Sequence, residues 1–206
     1  MYLFSKMAMD RTVVFLDGGY LSKISKYFGK GRPYKVDLKQ FAITLDKEKD
    51  LWCLHTYFYI APPYQSPTPT KEETIRKANH DHWISKLDRI NDFTVRQGRC
   101  QKCGINDYQQ KGVDTLITMD LSKLPLEHKG IQKIIILACD TDFVPILNEL
   151  RRKNHLHVIL AFFSDRVRNS EFSMSNHILT ACDEKVLLTK EHFEKSKYIP
   201  NKKDKK

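Results

Sequence analysis

Apolar residues in this chain follow two alternating patterns. Runs of branched and aromatic residues at Thr12–Leu16, Leu51–Ile60, Phe93–Gln97, Gln132–Ala138, His155–Phe163 and Lys185–Leu188 read as strands. Between them, apolar residues recur at helical spacing: Leu21, Ile24 and Phe28; Leu38, Phe41, Ala42 and Leu45; Ile75, Ala78, Trp83 and Leu87. The same spacing returns at Val113, Leu116, Ile117 and Leu121, then at Phe143, Ile146, Leu147 and Leu150. Ser173–Asp183 predicts a last short helix. Strand and helix alternate from end to end. That order predicts an α/β fold of three layers, α/β/α, with a mostly parallel central sheet. The unbroken run Ile134-Ile135-Ile136-Leu137-Ala138 suits a strand buried on both faces.

The connections carry their own signals. Ala61–Pro69 holds four prolines, which makes a stiff loop. Gly98–Gln110 reads as a polar connector without regular structure. One folded unit is expected over residues 11–193, followed by a loose basic tail, 194–206.

Composition narrows the class. At 41% hydrophobic, the chain can bury a proper core, and no apolar run is long enough to span a membrane. Its start has no secretory pattern, and its five cysteines are odd in number, which predicts a reducing cytoplasm. Cys53 and Cys139 read as small core residues. The net charge of +10 predicts a polyanionic partner, nucleic acid above all, although a share of it lies in the tail.

Carboxylates collect at the junctions. Asp17 closes the first strand, Asp114 opens a helix, and Asp140 and Asp142 follow the central strand. In a parallel sheet the carboxyl ends of all strands share one edge, so Asp17 and Asp140 share it whatever the strand order. Ligands of open α/β sheets bind there. A helix cap explains one acid of the Asp140-Thr141-Asp142 step but not both. Such a cluster on a basic protein predicts a hard divalent cation, Mg²⁺ or Mn²⁺.

Three blocks together resemble a known family. They are Val14-Phe15-Leu16-Asp17-Gly18-Gly19-Tyr20-Leu21, then Lys111-Gly112-Val113-Asp114 with Asp120 following, then Ala138-Cys139-Asp140-Thr141-Asp142-Phe143-Val144-Pro145. In order and spacing they are similar to NYN-domain proteins, in the LabA/DUF88-like branch of the PIN-like nuclease superfamily. The resemblance implies a PIN-like fold and a metal-dependent ribonuclease site on Asp17, Asp114, Asp140 and Asp142. Asp120 lies six residues after Asp114 and is not squarely on the same helical face, and Asp183 matches a less constant acid near the family's end. Many relatives have Asn where this chain has Tyr20, so a polar contact near the first acid is missing here.

The remaining signals are weaker. Cys100-Gln101-Lys102-Cys103 is half a zinc knuckle without evident partners, so a reduced thiol pair in a loop is preferred to zinc. Lys111, Arg166 and Arg168 are candidates to meet a nucleic-acid backbone, and Thr141 to bond a phosphate or cap a helix. The leading expectation is an endoribonuclease. The alternative is an inactive RNA-binding or regulatory scaffold of the same fold. A phosphatase with a strand-Asp-x-Asp motif is disfavoured, because too little chain follows Asp142 for its other motifs.

Overall fold

The computed structural model describes residues 9–104 and 107–199. Strands β1 (Arg11–Asp17), β2 (Trp52–Ile60), β3 (Phe93–Gln97), β6 (Lys133–Leu137), β7 (His157–Phe162) and β8 (Glu184–Leu187) form one sheet in the order β3-β2-β1-β6-β7-β8. All five pairings are parallel. Strand order reverses between β1 and β6, which makes that gap the topological switch point.

The side chains of the central strands explain the layers. Alternate residues of a strand point to opposite faces. Val14 and Leu16 of β1 and Ile135 and Leu137 of β6 enter one core. There they meet α1 (Gly18–Phe28), α2 (Leu38–Lys47), α3 (Lys71–Leu87) and α7 (Lys190–Lys195). Val13, Phe15, Ile134 and Ile136 enter the other, beneath α4 (Val113–Glu127), α5 (Val144–Asn154) and α6 (Asn176–Thr180). The central residues are fully buried on both faces, which is why they are branched and apolar throughout.

Four expectations need correction. First, the connector at 98–110 is an antiparallel hairpin, β4 (Arg99–Gly104) paired with β5 (Asp107–Lys111). Nearly all of its residues are exposed, so no apolar alternation marked it. Second, α3 is rotated from its predicted face. Ile84 and Leu87 are buried, whereas Ile75 and Trp83 are 51% and 36% exposed. Third, Cys53 and Cys139 are only half-buried against one core, while Cys182 is buried.

Fourth, the chain past residue 194 does not leave the fold at once. Ser196 is fully buried, and Lys197 bridges Val36 in antiparallel fashion. The Asp37 amide donates to the Ser196 carbonyl at 2.8 Å, and the Tyr198 amide to the Lys35 carbonyl at 2.8 Å. The rest of the expected tail lies outside the described residues.

Candidate active site

Asp17 ends β1 and caps α1. Its Oδ1 accepts the Gly19 amide at 2.8 Å and the Tyr20 amide at 3.2 Å. The turn depends on Gly18, where a Cβ would lie 2.5 Å from the Tyr59 carbonyl oxygen and 2.8 Å from the Phe58 ring. Only a residue without a side chain lets α1 start this close to β2. Across the switch point, β6 ends at Leu137 and the chain turns through Cys139 into Asp140. Asp140 caps a short 3-10 turn, Thr141–Phe143, by accepting the Asp142 amide at 2.9 Å. Both caps fix a carboxylate and leave its second oxygen unclaimed by the main chain. Asp142, the acid that is not the cap, is exposed in the turn beside Thr141.

Asp114 reaches the same edge from the other layer. The hairpin rises from the carboxyl end of β3 and returns through Gly112, whose φ is +78°. That left-handed residue starts α4, and Asp114 lies exposed in its first turn. The acids perturb one another. Partial loss of water around the Asp114 carboxyl, exposed though the residue is, raises it above its ordinary value, the charge on Asp140 adds to this, and Asp142 contributes less. Burial pushes Asp17 up to about 6 against the pull of its two amides, with Asp114 raising it further and Lys23 lowering it. Cys139, between them, is pushed up to about 11, by burial first and then by Asp17. Charge from α4 therefore bears on the acid of β1, and charge from the turn after β6 bears on the acid of α4.

The donor set suits a hard cation that prefers oxygen. It is not closed around one: among the described residues no three His, Cys, Asp or Glu side chains gather tightly enough to hold an ion. Instead Asp114 helps to raise Asp17, and Asp140 and Asp142 help to raise Asp114, as like charges without a counter-ion should.

Other predicted residues separate into two groups. Lys111 ends β5 beside the cluster and is exposed. Arg166 and Arg168 lie exposed in the loop after β7, on the same sheet edge, with Arg166 at φ 62°. Asp120 and Asp183 do not join the acids. Asp120 is buried and committed: it accepts the Tyr59 hydroxyl at 3.0 Å and a two-pronged bond from Arg96 at 3.0 and 3.1 Å. Asp183 precedes β8 and so lies at the amino edge, bonded to the Val158 amide at 2.9 Å and to Arg151 at 2.6 Å. Cys100 and Cys103 lie on β4, half-buried and exposed respectively, and no third metal-binding side chain joins them among the described residues. His80, on α3 ahead of the pair, bonds Gln97 at 3.0 Å.

Two features escaped sequence reasoning. Gln110 extends its amide toward the start of α1, its Nε2 lying 3.3 Å from where a Cβ on Gly19 would be. The signal was faint, a polar residue just ahead of the Lys-Gly-Val-Asp block. Tyr20 is buried, and its hydroxyl donates to the Phe163 carbonyl at 3.0 Å while accepting the Phe163 amide at 2.9 Å. It ties α1 to the end of β7 and offers nothing to the acids.

Comparison with protein families matches the NYN domain over residues 11–188. The chain belongs to the NYN family. NYN domains are part of the PIN-like nuclease superfamily, whose members act on nucleic acid and generally use divalent metals. A comparison with curated proteins finds no match. Among solved structures, this NYN domain is similar to a protein of unknown function from Vibrio parahaemolyticus. The TM-score is 0.56 at 15% identity, covering 89% of this chain and 95% of that one. At that identity the likeness concerns the fold alone. Among the described residues of the NYN domain, no helix is long and apolar enough to cross a membrane.

Proposed function

We propose that this NYN domain belongs to the LabA/DUF88-like branch and is a metal-dependent endoribonuclease. It hydrolyses RNA phosphodiesters at Asp17, Asp114, Asp140 and Asp142. The observation that carries the reading is the placement of acids from separate elements at the switch point of a parallel sheet, where Asp114 acts on Asp17 and Asp140 and Asp142 act on Asp114. These carboxylates would hold Mg²⁺ or Mn²⁺, which supplies polarisation of the phosphate and a water of lowered pKa. The main-chain amides on Asp17 and Asp140 keep those two acids oriented while substrate enters. Arg166 and Arg168 bind backbone phosphates on the β7 side of the cleft and Lys111 on the hairpin side. Thr141 bonds a phosphate oxygen. The net charge of +10 draws the polyanion in despite the acids. Five free cysteines agree with a reducing cytoplasm as its location.

A second reading, an inactive RNA-binding scaffold, is favoured by two observations. The acids are not closed to ligand distance, and Tyr20 is occupied by Phe163. One experiment decides. Labelled RNA and single- and double-stranded DNA are incubated with the parent and with Asp140→Asn, with and without Mn²⁺. Asn retains the cap on the 3-10 turn, so the variant should melt as the parent does yet cut nothing. Equal cleavage by both proteins refutes the nuclease site, and RNA binding without cleavage by either establishes the scaffold.

A further inference from the structure

The hairpin is the part of the chain that the fold does not require. A lone two-stranded hairpin has little stability of its own in water, and almost every residue of this one is exposed. Its two strands contain Arg99, Lys102 and Lys111 against a single acid, Asp107. None of the three cations has a carboxylate partner among the described residues.

Directly opposite residues of an antiparallel pair share a face. Tyr108 is opposite Lys102, and Gln110 opposite Cys100. One face therefore presents Gln110, then Tyr108 and Lys102, in steps of two residues or ~6.7 Å. Its inner end is at the acids, where Gln110 meets the first turn of α1. Further out, the Tyr108 ring meets Tyr64 of the proline loop, with centroids 5.3 Å apart and planes tilted by 40°. Tyr108 remains 43% exposed, unlike the rings stacked inside the cores. Prolines on both sides of Tyr64 hold that ring in place, at 62, 63 and 67.

We infer that this face is a binding platform for a single-stranded polynucleotide, with Tyr64 and Tyr108 stacking a base and Lys102 meeting its phosphate. The inference rests on the nuclease reading and extends it: the platform holds the strand that runs out from the acids. An aromatic pair with one exposed and one half-buried ring, beside unpaired cations, has the composition single strands need, because every base has a flat face and every phosphate a charge. Gln110 is a positioning residue between platform and acids. A duplex, with its bases already stacked, cannot use the rings.

The test is fluorescence anisotropy at low salt in EDTA, with labelled single-stranded RNA and DNA of one sequence and with the RNA duplex. The parent should prefer single strands, and the RNA and DNA arms show whether the sugar matters. Tyr108→Leu should bind about tenfold more weakly, the loss expected when one stacked base gives up its aromatic partner. Tyr108→Phe should bind as the parent does, and Lys102→Glu should weaken binding with no change in melting. The Lys102 variant keeps the test open if the Leu variant unfolds. Tyr108→Leu and Lys102→Glu both binding as the parent does would overturn the platform and leave the nuclease reading intact. A preference for duplex would also overturn it. No binding by the parent would overturn it too, and the Mn²⁺ cleavage assay then shows whether the nuclease reading falls with it.

Discussion

Asp46 is the acid in this protein that burial should penalise most simply. It lies on α2 with 1% of its surface exposed. Its Oδ1 accepts the Thr12 hydroxyl at 2.5 Å, while its Oδ2 has no hydrogen-bond partner among the described residues. Burial pushes the carboxyl from the ordinary 3.8 up to about 6, opposed by the Thr12 hydroxyl, then the Cys53 thiol and the charge of Lys39. The sign follows directly. A raised folded pKa means that the folded state holds the proton more tightly than the unfolded chain. The stabilisation is full below the unfolded pKa and disappears as pH rises through about 6. From about pH 4.5 to pH 8 the group should cost the native state about 2 kcal/mol. Asp46→Asn removes the titration but not the Thr12 contact. An unpaired amide N–H adds a constant offset at every pH. Urea melts of parent and variant at about pH 4.5, 6 and 8 separate the two effects. The difference in unfolding free energy should move by about 2 kcal/mol in favour of the variant as pH rises. Taking the difference removes other groups, such as Asp183 and Glu184, whose lowered pKa values tilt the profile the other way. A difference that is flat with pH would refute the argument.

The other predictions concern the site and its supports. Asp120→Ala leaves the Arg96 guanidinium and the Tyr59 hydroxyl without their shared partner, and should destabilise by about 3–5 kcal/mol; chemical denaturation measures it. Gly18→Ala drives a Cβ into the Tyr59 carbonyl and should lower stability by more than about 1 kcal/mol, with circular dichroism melts as the check. RNA binding should weaken steeply with salt, because lysines and arginines release counter-ions from phosphates; an anisotropy titration that stays flat contradicts the polyanion partner.

The fold was legible because its strands are buried on both faces and its helices keep a stripe. Val13 to Leu16 and Ile134 to Ala138 could hardly be anything but inner strands. The α3 face was misread because Ile75 and Trp83 fit the spacing as well as Ile84 does, and spacing alone does not say which stripe meets the sheet. The hairpin was invisible because polar residues paired by their backbones leave no apolar period. Asp183 shows a different limit. It precedes a strand, and in a parallel sheet that alone assigns it to the edge opposite Asp17. Asp120, on α4, was beyond sequence reasoning, since its partners Tyr59 and Arg96 come from two separate strands. The sheet edge of Asp17, Asp114, Asp140 and Asp142 was readable because each follows a strand or opens a helix on one side of the sheet.

The strand order has a consequence during synthesis. Half of the sheet, β3-β2-β1, is translated before β6 exists. About 36 residues separate the end of β3 from the start of β6, roughly 2–7 s at ribosomal speed. For that interval the nascent half-sheet ends in Val13, Val14, Phe15 and Leu16, an apolar edge with unpaired amides and carbonyls, the kind that recruits a wrong partner. The ribosome-bound chain has Asp17 in hand but neither Asp140 nor Asp142, so the acidic cluster comes together only when β6 closes that edge.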